Sequence, residues 1–141
     1  MTFLAGEKVT AAALTAVAPG RLDAACSGNL TVTTSPQNIA GCTLTFTTPT
    51  AQIVQVIGVF DVNSTGATDP FRGLCCVDGD VAESEEAVKQ STGRTTSTQT
   101  WLVSLTAASH TIKLRAVKNT SSDTVTVNSA HTKIVIDGQG I

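Results

Sequence analysis

A chain of 141 residues with a formal net charge of −2 has room for one domain and a sizeable core, and an apolar content of 41% argues against disorder. Only 14% of the residues are charged and no Lys/Arg run occurs, so the electrostatic footprint of a nucleic-acid binder is missing. Four Phe, one Trp and no Tyr leave little for base or sugar stacking, and no apolar run reaches the ~20 residues of a membrane-spanning helix.

The chain opens with "FLAGEKVTAAALTAVAPG", residues 3–20, which is alanine-rich and carries helix punctuation. Thr10 is placed as an N-cap, Val9 and Leu14 occupy hydrophobic-staple positions, and Pro19-Gly20 stops the run. A helix of about eight residues is too short to be stable alone, so it must pack on something. "AAALTAVA" has the look of a secretory h-region, but "MTFLAGEK" before it carries no net positive charge. The segment is therefore expected to belong to the working protein.

From Leu30 onward the hydrophobic period changes to two. Residues 30–34, 42–48, 101–105, 111–117, 124–128 and 132–136 all alternate apolar with hydroxyl or charged side chains. In 111–117, Ile112, Leu114 and Ala116 share one face while Lys113 and Arg115 share the other; Trp101 reads as a core anchor. "TAASH" (106–110) has hairpin-loop length, "KNTSSD" (118–123) reads as the next turn, and further breaks fall at the intervals of a sandwich. Thr and Ser on the outward positions replace the charges that a soluble surface usually carries.

Residues 51–60, "AQIVQVIGVF", break the alternation. Ile53, Ile57 and Val59 make one apolar face, and Val54, Val56 and Phe60 make the other. An antiparallel strand of a lone sandwich keeps one wet face, so the second face is expected to be covered by another subunit or by the N-terminal segment.

No group of residues announces chemistry. Cys26, Cys42, Cys75 and Cys76 form neither a CxxC pair nor a disulfide framework and are expected as buried thiols, a Cys26–Cys42 bridge being the main exception. His110 and His131 lack acidic or serine partners at a telling spacing, and there is no GxSxG elbow. "VDGDVAESEE" (77–86) gathers five carboxylates without the EF-hand pattern and reads as a turn at Asp78-Gly79 followed by a solvated loop. The expectation is a non-enzyme with no cofactor and no metal.

Two stretches carry a resemblance. The opening keeps Phe3, Ala5, Gly6, Thr10, Ala11 and Leu14 of an F-x-A-G-x-x-L-T-A-x-x-L-N pattern, with Val9 for Leu and Thr15 for Asn. In this it resembles small virion structural proteins of tailed bacteriophages of actinobacterial hosts. "GLCCVDGDV" (73–81) with "QTWLVSLTAASHTIKLRAVKN" (99–119) resembles the strands of trimeric jelly rolls of the tumour-necrosis-factor (TNF) and C1q type, with Ser109 where Gly is common. The resemblance implies an all-β, antiparallel jelly-roll sandwich over residues 21–141, preceded by an attachment arm over 1–20 with one or two helical turns. It further implies a homotrimer displayed on a virion, made in the host cytoplasm and bound to the major capsid protein or another virion protein. On that reading Phe3, Leu4, Val9, Leu14 and Val17 engage the partner, and Ile53, Val54, Val56, Ile57, Val59 and Phe60 line the trimer interface. A capsid decoration protein that stabilises the shell is the first expectation, and a tail or fibre-tip component binding a host receptor is the alternative.

Overall fold

A computed structural model of the chain describes residues 10–141, without the side chains of residues 16 and 17. One short helix, α1 (Ala11–Val17), precedes nine strands: β1 (Pro19–Ala25), β2 (Leu30–Thr31), β3 (Gln37–Thr47), β4 (Gln52–Ser64), β5 (Phe71–Val77), β6 (Ala87–Lys89), β7 (Gly93–Leu105), β8 (Ser109–Lys118) and β9 (Val125–Gln139). The strands pair antiparallel in two sheets. One has the order β1-β9-β4-β7, with β2 also on β9, and the other has the order β3-β8-β5-β6. Successive strands alternate between the sheets from β2 to β5 and again from β6 to β9, which is the winding of a jelly roll, and the fold is the expected all-β sandwich.

The core lies between the two sheets and is built from the inward rows of alternating strands. Ile112, Leu114 and Ala116 of β8 are fully buried, and Trp101 and Val103 of β7 meet them from the other sheet. The Trp101 indole donates to the Glu85 carbonyl at 2.8 Å, so the largest core side chain leaves no polar atom unpaired. Phe60 packs tilted on Phe71 with ring centroids 5.5 Å apart. A Cβ on Gly73 of β5 would sit 2.6 Å from that Phe60 ring, so glycine is what lets the aromatic pair close between the sheets.

Val54, Val56 and Phe60 belong to this core. All three are fully buried within one protomer, facing the β3-β8-β5-β6 sheet, and cannot line a subunit interface. The second sheet is the cover that this half of the strand required. Only Ile53, Ile57 and Val59, on the opposite pleat, are left to meet a partner.

Other boundaries differ from those read in the sequence. Pro19 and Gly20 end the helix and also begin β1, pairing with Gln139 and Gly138. β7 starts well before Trp101, because "RTTSTQT" pairs along β4 without any hydrophobic alternation to announce it. The stretches 124–128 and 132–136 are one strand, β9, interrupted where the pairing to β4 jumps from Val59–Lys133 to Asp61–Asn128. The connection between β7 and β8 spans 106–108 and crosses from one sheet to the other instead of closing a hairpin, and Ser109 lies in β8 with no left-handed backbone to call for glycine.

Candidate functional site

The outward face of the β1-β9-β4-β7 sheet departs from the hydroxyl-rich surface found elsewhere. The register places Ile57 between Thr100 and Val135, Gln55 between Leu102 and Asp137, and Val59 between Thr98 and Lys133. Ile53 and Leu102 are diagonal neighbours on this face, 65% and 73% exposed, while Ile57, Val59 and Val135 are half-buried. These five side chains form an oblique apolar stripe across the centre of the sheet. The stripe runs from the edge strand β7 across β4 to β9, and among the described residues Ile53 and Leu102 at its β7 end are covered least.

Charged residues flank the stripe in fixed positions. Arg21 of β1 makes a two-pronged ion pair with Asp137 of β9, at 2.7 and 2.9 Å. Hydrogen bonding to Arg21 holds the Asp137 carboxyl below its usual range. The pair neutralises one border of the face without a net charge.

At the other end of the stripe the chain of β9 bulges outward. Ala25, Val59 and residues 129–133 enclose a shallow cleft of about 310 Å³. The bulge is pinned from beneath. The Thr132 hydroxyl accepts from the Asp61 amide at 2.9 Å and donates to the Asn128 carbonyl at 2.7 Å. Asn29 accepts from the Ser129 amide at 2.8 Å. Asp61, on the outward pleat but only 2% exposed, is buried by the bulge and gripped by Arg94 at 2.8 and 2.5 Å. The Arg94 hydrogen bonds depress the Asp61 carboxyl, opposed by its burial. The cleft therefore has a rigid rim.

The second polar cluster sits at the pole from which the N-terminal segment departs. His110 Nδ1 lies 2.7 Å from Asp78 Oδ2 and its Nε2 2.9 Å from the Thr106 carbonyl. Acceptors on both ring nitrogens favour the imidazolium, and the Asp78 hydrogen bond, then that of Thr106, raises the His110 pKa. With its Nε2 facing a carbonyl, His110 holds no free lone pair for general-base work. The other Asp78 oxygen accepts from the Thr111 amide at 2.7 Å, and Asp78 itself has φ 53°. Asp80 of the same acidic loop is engaged by Lys113 and Arg115. Asp78 and Asp80 of this loop are thus spent on polar and basic partners.

At its described end the N-terminal segment forms the expected capped helix. Thr10 Oγ1 accepts from the Ala13 amide at 3.1 Å, as an N-cap should, and Ala18 closes the helix onto the Leu14 carbonyl at 2.9 Å. Leu14 is 55% exposed, so this apolar side chain finds no full cover on its own sandwich. Phe3, Leu4 and Val9 lie outside the described residues, as does the side chain of Val17. Leu102 and Val135 escaped notice in the sequence. Their signal was present: each is an apolar residue in the polar phase of its strand, between Trp101 and Val103 and between Ile134 and Ile136.

No protein-family profile and no curated protein sequence matches the chain. Solved structures do. Murine APRIL superposes with a TM-score of 0.56 at 7% identity, over 85% of this chain and 98% of that one. Eiger TNF from S. frugiperda gives 0.53 at 10% identity, over 86% and 91%. A chain of the T13 IBDV viral particle gives 0.59 at 9% identity over 86% of this chain, which corresponds to 31% of that longer chain. The protein has the TNF-like jelly-roll fold, which these structures share.

Proposed function

We propose that this chain is a bacteriophage virion structural protein: a homotrimeric decoration protein that binds the capsid surface and stabilises the shell by contact rather than catalysis. The observation that carries the reading is the apolar stripe of Ile53, Ile57, Val59, Leu102 and Val135 on the otherwise polar outward face of the β1-β9-β4-β7 sheet. At ~25 cal/mol per Å² of apolar surface, leaving such a stripe in water is unfavourable, and self-association through the same sheet removes it. The exposed Leu14 on a capped helix supports a second contact, made by the arm with the major capsid protein or another virion protein.

Two measurements test the two halves of the proposal. Light scattering of the purified chain at micromolar concentration should return three times the 14.4 kDa of one protomer. The trimer should then co-sediment with capsids that lack it and raise their resistance to heat. A monomer with intact β-sheet signal would overturn the first half, and a trimer that ignores particles would overturn the second.

A further inference from the structure

Cys26 and Cys42 come from different sheets, Cys26 directly after β1 and Cys42 within β3, yet the backbone brings them together. The Ser27 amide donates to the Ala40 carbonyl at 2.9 Å, which clamps the two segments across the open end of the sandwich. Gly41, at φ 85°, lies so close beneath the other segment that a Cβ there would be 2.4 Å from the Ala25 carbonyl oxygen and 2.8 Å from the Ser27 nitrogen. Cys26, between Ala25 and Ser27, and Cys42, next to Gly41, belong to the same hydrophobic core and are 7% and 0% exposed, with the Cys26 thiol donating to the Gly28 carbonyl at 3.0 Å. Both are free thiols. Cys75 and Cys76 differ: being adjacent on one strand, they face opposite sides of β5.

We infer that Cys26 and Cys42 are a built-in disulfide site, reduced when the protein folds and closed by a thiol oxidant to staple the two sheets together. The chemistry is thiol–disulfide exchange with a small disulfide such as oxidised glutathione. The Cys26 thiolate attacks one glutathione sulfur, forms a mixed disulfide and releases one glutathione thiolate. Cys42 then gives up its proton to solvent and attacks the Cys26 sulfur, releasing the second glutathione. Two electrons pass from the protein to the oxidant, and two glutathione thiols are formed for the two protein thiols lost. Cys26 is the entry point because it is the less buried of the two and lies beside Gly28, whose surroundings are open. Cys42 is the slow partner: burial, reinforced by the neighbouring Cys26 thiol, pushes it up to about 12. Closure therefore accelerates as pH rises across the neutral range. The staple closes a loop of ~15 residues and joins the sheets at a point where only one backbone hydrogen bond clamps these two segments.

The experiment uses the full chain, folded and reduced, incubated in graded mixtures of oxidised and reduced glutathione, then unfolded and alkylated. The expected product has lost two hydrogens and two of its four thiols, yields one cross-linked peptide pair containing Cys26 and Cys42, and melts several degrees higher until reductant is added. Cys42→Ala should stall as a mixed disulfide on Cys26, and Cys26→Ser should not oxidise at all in the native state. Should Cys42→Ala fold poorly, peptide mapping of the wild-type chain still decides the matter. Four intact thiols in the folded protein, under oxidant that cross-links the unfolded chain, would overturn the inference, as would a link involving Cys75 or Cys76.

Discussion

His110 shows how single residues tie this sandwich to pH. Its folded-state pKa is raised, chiefly by Asp78, so folding favours the charged ring. The stabilisation is complete below the ordinary histidine value of ~6.5 and is lost as pH climbs through the folded-state value. Asp78 is depressed by the same contact, so its share is present above ~3.9 and disappears as pH falls through its folded-state value. The wild-type melting midpoint should therefore fall as pH rises above ~6.5, while His110→Gln should be lower and flat over the same range. Parallel curves for the two proteins would show that the ion pair contributes nothing. Gly73 makes a different demand at the same scale. A methyl group there meets the Phe60 ring at 2.6 Å, inside a packed core, so Gly73→Ala should cost ~1–3 kcal/mol and lower the midpoint by several degrees. An unchanged midpoint would mean that the ring can shift freely.

At the scale of the element, β4 separates what was legible in the sequence from what was not. Its doubly apolar pattern was plain, but periodicity alone cannot say which pleat faces its own second sheet and which faces a partner. The structure divides them: Val54, Val56 and Phe60 inward, Ile53, Ile57 and Val59 outward. Strands such as β8 were readable because polar and apolar side chains alternate along its residues 111–116. The first half of β7 was not, because threonine occupies both phases, and β2 was overextended because only Leu30 and Thr31 pair with β9. The His110–Asp78 contact was hidden for another reason, since it joins the loop after β5 to the start of β8, 32 residues apart and brought together only by the fold. The division of β4 makes a sharp test. Leu102→Asp or Ile53→Asp places a charge on the outward stripe, and should give a folded monomer. Val54→Asp, one residue along, buries an unpaired carboxylate in the core and should abolish folding itself. Circular dichroism read beside light scattering separates the outcomes, and an outward variant that still assembles would exclude the stripe as the interface.

For the whole molecule, the proposed attachment to a particle turns on how the N-terminal segment leaves the sandwich. The N-terminal segment leaves from a well-anchored point. The Gly140 amide donates to the Ala18 carbonyl at 2.8 Å, and Pro19 begins a strand that pairs with the last residues of β9. Everything after residue 18 is therefore part of the sheet, and a truncation that spares the fold must stop there. α1, only seven residues long, is capped at both ends yet keeps Leu14 largely exposed, and so short a helix gains little from its own hydrogen bonds. On the proposed reading its order comes mainly from the partner it binds. Deleting residues 2–18 should leave the melting midpoint and the assembly state nearly unchanged while removing co-sedimentation with particles. Leu14→Ala in the full chain should weaken that binding in the same direction, because a buried apolar anchor dominates contacts of this size. Truncated protein that still binds particles would move the attachment surface onto the sandwich, where the cleft lined by Ala25, Val59 and residues 129–133 is the next place to mutate. Truncated protein that no longer assembles would instead make the arm a strap between neighbouring protomers.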